Sequence, residues 1–269
     1  MTKCKVYALL NQKGGVGKTT TSVNLAASLA VKRKCVLLID LDPQGNASTG
    51  SGCDKSTLES SVYDVLMHDK NILDVVIYQE RTGYDLLPAN EELTAAETAL
   101  LRLDGREYYL QKALKNIGNS YEYIVIDCPP TLNTLTVNAL VAAHSVLIPL
   151  QCEYYPLEGL SGLISTINEL KELVNKDLYI EGILRTMVDP RSRLSADVTK
   201  ELLTHFAEQV LKTTIPRNVR LAEAPSFGLP ALYYDAKSPG AKAYLDLADE
   251  ILARIKLRRV IEDKLTHSS

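Results

Sequence analysis

Gly14, Gly15 and Gly17 run directly into Lys18 and Thr19. Glycines at this density let a backbone turn its amides inward, because no Cβ blocks the left-handed conformations. Amides gathered that way at the start of a helix bind phosphate oxygens. Lys18 would then reach the terminal phosphates, and the Thr19 hydroxyl offers Mg²⁺ a hard oxygen. The spacing departs from the common phosphate loop, which opens on glycine. Gln12 holds that first position, and an extra lysine, Lys13, follows it. Two apolar segments end in carboxylates: "CVLLIDLD" (35–42) supplies Asp40 and Asp42, and "YEYIVIDCPP" (121–130) supplies Asp127. Asp127 suits the carboxylate that holds a metal-bound water, while Asp40 either caps a turn or meets the metal indirectly.

The elements that must position these groups are legible in the hydropathy. "KVYALL" (5–10) is rich in strand formers and enters the glycine loop. "TTTSVNLAASLAVK" (19–32) places Val23, Ala26, Ala27, Ala30 and Val31 at helical spacing. The runs at 35–42, 121–130, 145–150 and 179–188 read as strands buried on both faces. Helical patterns fill 91–117, 133–143, 157–175 and 195–208. A last amphipathic helix at 238–259 aligns Ala243, Leu247, Ile251 and Ile255. Pro156 suits a helix start. This alternation predicts an α/β fold: a doubly wound, mostly parallel sheet with helices on both faces. Ligands in such sheets sit at the carboxyl ends of the strands, so the loop and the aspartates share one edge.

The 269 residues carry 46% hydrophobic and 23% charged side chains, an ordinary balance for a globular chain. Residues 1–269 are read as one domain, with a frayed tail from about 258 to 269. The net charge of −3 gives no bulk pull toward nucleic acid, which leaves only a local basic patch to do so. Five cysteines, none spaced CxxC, argue for small buried thiols in a reducing cytoplasm rather than a disulfide framework. No run of about twenty apolar residues predicts a membrane span, and no signal segment is recognisable.

"QKGGVGKTT" (12–20), "LLIDLDPQGNAS" (37–48), "YIVIDCPP" (123–130) and "PRNVRLAEAPSFGLP" (216–230) together resemble the ParA family of chromosome- and plasmid-partitioning ATPases. The match is to its short, Soj-like members and spans about residues 3 to 255. The resemblance implies a P-loop NTPase fold of the deviant Walker A class, with ATP or ADP and Mg²⁺ as cofactors. Lys13 would be the signature lysine, crossing a dimer interface to the phosphates on the other subunit, much as an arginine finger does. Gly14, Gly15, Val16, Gly17, Lys18, Thr19 and Thr20 would hold the phosphates. Asp42 would orient the attacking water and, with Thr19 and Asp127, serve the metal. Pro216 and Asn218 match the segment that contacts adenine.

The family's ATP-bound dimers bind double-stranded DNA without sequence preference and answer to a ParB-type centromere-binding partner. The resemblance therefore implies an ATP-dependent homodimer, slow intrinsic hydrolysis, partner-stimulated release, and a cytoplasmic, nucleoid-associated life without stable membrane association. Arg191, Arg193, Arg217 and Arg220 are the DNA-contact candidates, followed by Lys237, Lys242, Arg254, Lys256, Arg258 and Arg259. The loop begins about a dozen residues in, which leaves no room for the N-terminal helix-turn-helix of longer relatives. The main alternative is a MinD-like membrane-positioning ATPase. It would need an amphipathic basic tail. The tail here has Leu257, Val260, Ile261 and Leu265, but also Glu262 and Asp263. An iron–sulfur relative would need paired cysteines, which Cys128 lacks.

Overall fold

A computed structural model of the chain describes residues 4–152 and 156–266, the side chains of 156–158, 259 and 261–266 excepted. The elements in order are β1 (Lys5–Leu9), α1 (Lys18–Val31), β2 (Val36–Asp40), α2 (Asn46–Gly50), α3 (Val62–Met67), β3 (Ile77–Gln79), β4 (Tyr84–Leu87), α4 (Leu93–Leu100), α5 (Tyr109–Asn116), β5 (Tyr123–Asp127), α6 (Thr134–Ala142), β6 (Ser145–Gln151), α7 (Pro156–Val174), β7 (Tyr179–Val188), α8 (Arg193–Phe206), β8 (Val210–Pro216), α9 (Val219–Glu223), α10 (Ala231–Tyr234) and α11 (Pro239–Thr266). The strands form one sheet in the order β3-β4-β2-β5-β1-β6-β7-β8. Only the β3–β4 pairing is antiparallel; the rest is parallel.

The period-two alternation of a strand sorts the apolar side chains onto two faces. Val6, Ala8, Ile124 and Ile126 pack with α4, α6, α7 and α8 on one face. Tyr7, Leu9, Tyr123 and Val125 pack with α1 and α11 on the other. Both faces are covered, as a parallel sheet requires. The order reverses around β1: β5 and β2 lie on one side, β6 and β7 on the other. The crevice at that reversal, beyond the strand ends, is where such folds bind ligands.

Several sequence expectations are corrected. The helical stretch at 91–117 is two helices, α4 and α5, parted where Gly105 takes φ 62°. β3, β4 and β8 and the short helices α2, α3, α9 and α10 were not anticipated. The last helix continues from 259 to Thr266. Pro156 opens α7 as expected. Among the described residues no helix is long and apolar enough to cross a membrane. All five cysteines are free; Cys128 and Cys152 are buried, but Cys35 is exposed, contrary to the expected burial.

Candidate functional site

The glycine loop leaves β1 and enters α1 with Gly15 at φ 73° and Gly17 at φ 91°. At Gly14 and Gly15 a Cβ would meet nothing within 4 Å, so the loop's concave side is open. Both ends of the loop are pinned to strands across the reversal point. Asn11 Nδ2 donates to Pro149 O at 2.8 Å, and Thr186 Oγ1 donates to Val16 O at 2.8 Å. Val16 is itself buried, which keeps its side chain out of the cradle.

Lys18 is buried under the loop and donates from Nζ to Lys13 O at 3.2 Å. Burial lowers the Lys18 pKa, and the carboxylates of Asp127 and Asp42 oppose that shift. Lys13, by contrast, is exposed at the loop mouth. Thr19 Oγ1 and Ser22 Oγ both donate to the fully buried Asp127 carboxylate, at 2.8 and 2.7 Å. Asp127 thus stands one step behind Thr19.

Asp42 lines the same cavity as Gly14, Gly15, Gly17, Lys18, Thr19 and Thr20, a space of about 530 Å³. Its Oδ1 accepts the Gln44 N–H at 3.0 Å, which fixes the carboxylate at the end of β2. Asp40 Oδ1 accepts the Asp42 N–H at 3.2 Å, as a turn cap would. It is fully buried and accepts Ser48 N–H and Ser48 Oγ–H, both at 2.7 Å, so it holds α2 in place. Asp40 and Asp127 are direct neighbours in the β2–β5 register. Burial raises both, Asp40 to about 6 and Asp127 to about 7; the Asp40 charge adds to the rise at Asp127, and the Asp42 charge adds to both.

The arrangement fits a polyphosphate with a divalent cation. The volume lies in the usual range for small-molecule clefts. Among the described residues no group of three or more His, Cys, Asp and Glu side chains could hold a metal ion. A cation here would draw on Thr19, phosphate oxygens and water, which is how Mg²⁺ is commonly held beside nucleotides.

Pro216 and Asn218 do not line this cavity. Pro216 pairs with Val188 at the end of β7, beside Met187, which does line it. Asn218 precedes α9, and its Oδ1 is buried with no hydrogen-bond partner.

Arg191 and Arg193 follow the carboxyl end of β7, and Arg217 and Arg220 follow that of the parallel strand β8, on the phosphate-loop edge of the sheet. Arg191 forks onto Asp189 through Nε and Nη2, both at 3.1 Å. Arg220 meets Glu223 at 2.8 Å and Asp235 at 3.4 Å. Two later candidates serve the fold instead. Arg254 donates to Glu181 O at 3.1 Å. Arg258 pairs with the buried Glu181 at 2.8 Å and stacks over Tyr179. The side chains of Arg259, Ile261, Glu262, Asp263 and Leu265 lie outside the described residues. Sequence reading missed Asn11, Ser22, Asn24 and Thr186. Asn24 Nδ2 donates to Thr20 O at 2.7 Å and its Oδ1 accepts Ala231 N–H at 2.8 Å, tying α1 to the start of α10. A polar residue inside an otherwise apolar or small helical face was the available signal.

The family profile described as an AAA domain matches residues 4–180. The sporulation initiation inhibitor protein Soj of Bacillus subtilis is 51% identical, over 93% of this chain and 98% of that protein. The chromosome partitioning protein ParA of Myxococcus xanthus is 48% identical, over 93% and 88%. Among solved structures, cobyrinic acid a,c-diamide synthase from Mycobacterium smegmatis, with an ATP analogue and magnesium bound, is similar with a TM-score of 0.83. It is 38% identical over 94% of this chain and 96% of that one.

Proposed function

Because the chain belongs to the ParA/Soj family of P-loop partitioning ATPases, we propose that it is an ATP-driven switch for DNA segregation. It binds ATP with Mg²⁺ in the loop cavity and hydrolyses it slowly. ATP draws two copies face to face, and the dimer holds non-specific double-stranded DNA. A ParB-type partner accelerates hydrolysis and releases the dimer.

The contrast between the two lysines carries the reading. Lys18 is buried inside the loop, while Lys13 is exposed at its mouth, where a facing subunit's phosphates would arrive. Charge supplied across the interface makes dimerisation depend on ATP, because the triphosphates of two apposed sites repel each other without it. Asp42, held by Gln44, supports the water-orienting role. The unpaired Oδ1 of Asn218 supports a base contact, since a buried acceptor without a donor is costly until one arrives. The four arginines on the same edge support a phosphate-contacting face that ATP-driven pairing would double.

A membrane-positioning role rests on tail side chains outside the described residues. The exposed Leu257 and Val260 do not by themselves make an apolar face. The direct test is analytical ultracentrifugation with ATP and with ADP. The wild-type chain is expected to dimerise with ATP only, and Lys13→Ala to dimerise measurably but far more weakly. A Lys13→Ala protein that dimerises like the wild type would remove Lys13 from the interface.

A further inference from the structure

We propose that Asn11 is a positioning residue that sets the backbone of Lys13 and, through it, the reach of that lysine across the dimer. The proposal deepens the function given above and rests on it. Asn11 lies two residues beyond β1 and is 8% exposed. Its amide uses both ends. Nδ2 donates to Pro149 O on β6 at 2.8 Å, and Oδ1 accepts the Lys13 N–H at 3.0 Å. Lys13 O in turn accepts from Lys18 Nζ at 3.2 Å. A relay of three hydrogen bonds therefore runs from β6 to Asn11, to the Lys13 peptide and to the buried lysine.

Asn11 anchors the entry half of the loop to β6, whereas Thr186 on Val16 O holds the exit half. The two anchors divide the loop by task. Gly14, Gly15 and Gly17 cradle a nucleotide bound to their own subunit and follow the exit anchor. Lys13 follows the entry anchor. An asparagine suits the entry position because it offers a donor and an acceptor from one planar group. Alanine offers neither, and would leave the Lys13 N–H and the Pro149 carbonyl without their partner.

The experiment is a double-mutant cycle on ATP-dependent dimerisation, with Asn11→Ala, Lys13→Ala and the double variant, beside ADP affinity as the second readout. Asn11→Ala is expected to weaken ATP-dependent dimerisation about tenfold, the usual consequence of losing buried hydrogen bonds. Its ADP affinity should stay within about threefold of wild type, and it should add nothing on the Lys13→Ala background. Additive losses in the two backgrounds, or an ADP affinity that falls as far as dimerisation, would show a general loop collapse and overturn the proposal. If Asn11→Ala does not yield folded protein, Asn11→Ser, which keeps a polar atom in the buried site, carries the same cycle. A wild-type chain that stays monomeric with ATP removes the functional reading and this proposal together. A dimerising wild type with an additive cycle removes the proposal alone.

Discussion

At the residue scale the site is a set of charges held out of water by close partners. Lys18 has the carboxylates of Asp127 and Asp42 nearby and a backbone carbonyl for its proton. Lys18→Ala should lower ATP affinity by about tenfold or more, the worth of one charged hydrogen bond to phosphate; equilibrium binding that stays at the wild-type value would take Lys18 out of the site. Asp40 and Asp127 make a second prediction. Both carboxyls keep their protons to higher pH in the folded chain, to about 6 and about 7, than at the ordinary value of 3.8. Between those values the folded state binds more protons than the unfolded one, so the pair's contribution to stability falls as pH rises through that window. Asp40→Asn removes one of the two repelling charges. In the nucleotide-free protein, the fall in melting temperature from about pH 5 to about pH 8 should shrink relative to wild type. An unchanged fall would assign the pH dependence elsewhere. The carboxylates and the second lysine were visible in the sequence because ionisable groups beside a glycine loop have few structural uses. Asn11 and Thr186 were not, because their partners are backbone carbonyls, one on β6 and one in the glycine loop, more than a hundred residues away.

At the element scale the strands buried on both faces were the readable ones. β1, β2, β5 and β6 have apolar interiors, and β7 is mostly apolar around Glu181, Arg185 and Thr186. β8 escaped because Lys212, Thr213 and Thr214 interrupt its apolar pattern on the open edge of the sheet. β3 and β4 are too short to show a period. The segments around the cavity were hidden for another reason: their contacts are backbone to backbone. Gly52 follows α2, and Gly228 sits between Phe227 and Leu229. A Cβ on Gly228 would lie 2.6 Å from Gly52 Cα, and one on Gly52 would lie 2.9 Å from Gly228 O. Gly228 also holds φ 63°. This joint ties the Asp42 side of the cavity to the Pro225–Leu229 side. Gly228→Ala should cost about 3 kcal/mol from strain and overpacking together, read as a lower urea midpoint at unchanged slope. A midpoint equal to wild type would show that the two segments part without cost.

At the scale of the whole molecule, the proposed DNA binding requires a chain of net charge −3 to present a face for a polyanion. The parallel sheet makes this possible by sending β1, β7 and β8 toward one edge, so the phosphate loop and Arg191, Arg193, Arg217 and Arg220 share it. With Arg191 on Asp189 and Arg220 on Glu223 and Asp235, one copy presents little net positive charge there. Two copies held together by ATP would present it twice, and binding would then fall steeply with salt. The most direct measurement is the binding of Asp42→Ala protein, which the proposed role of Asp42 would block in hydrolysis, to random-sequence duplex DNA with ATP and with ADP across a salt series, beside a liposome arm. The predicted result is DNA binding that needs ATP, weakens with salt and has no counterpart on liposomes. Liposome binding without DNA binding would contradict the account and move the function to the C-terminal helix.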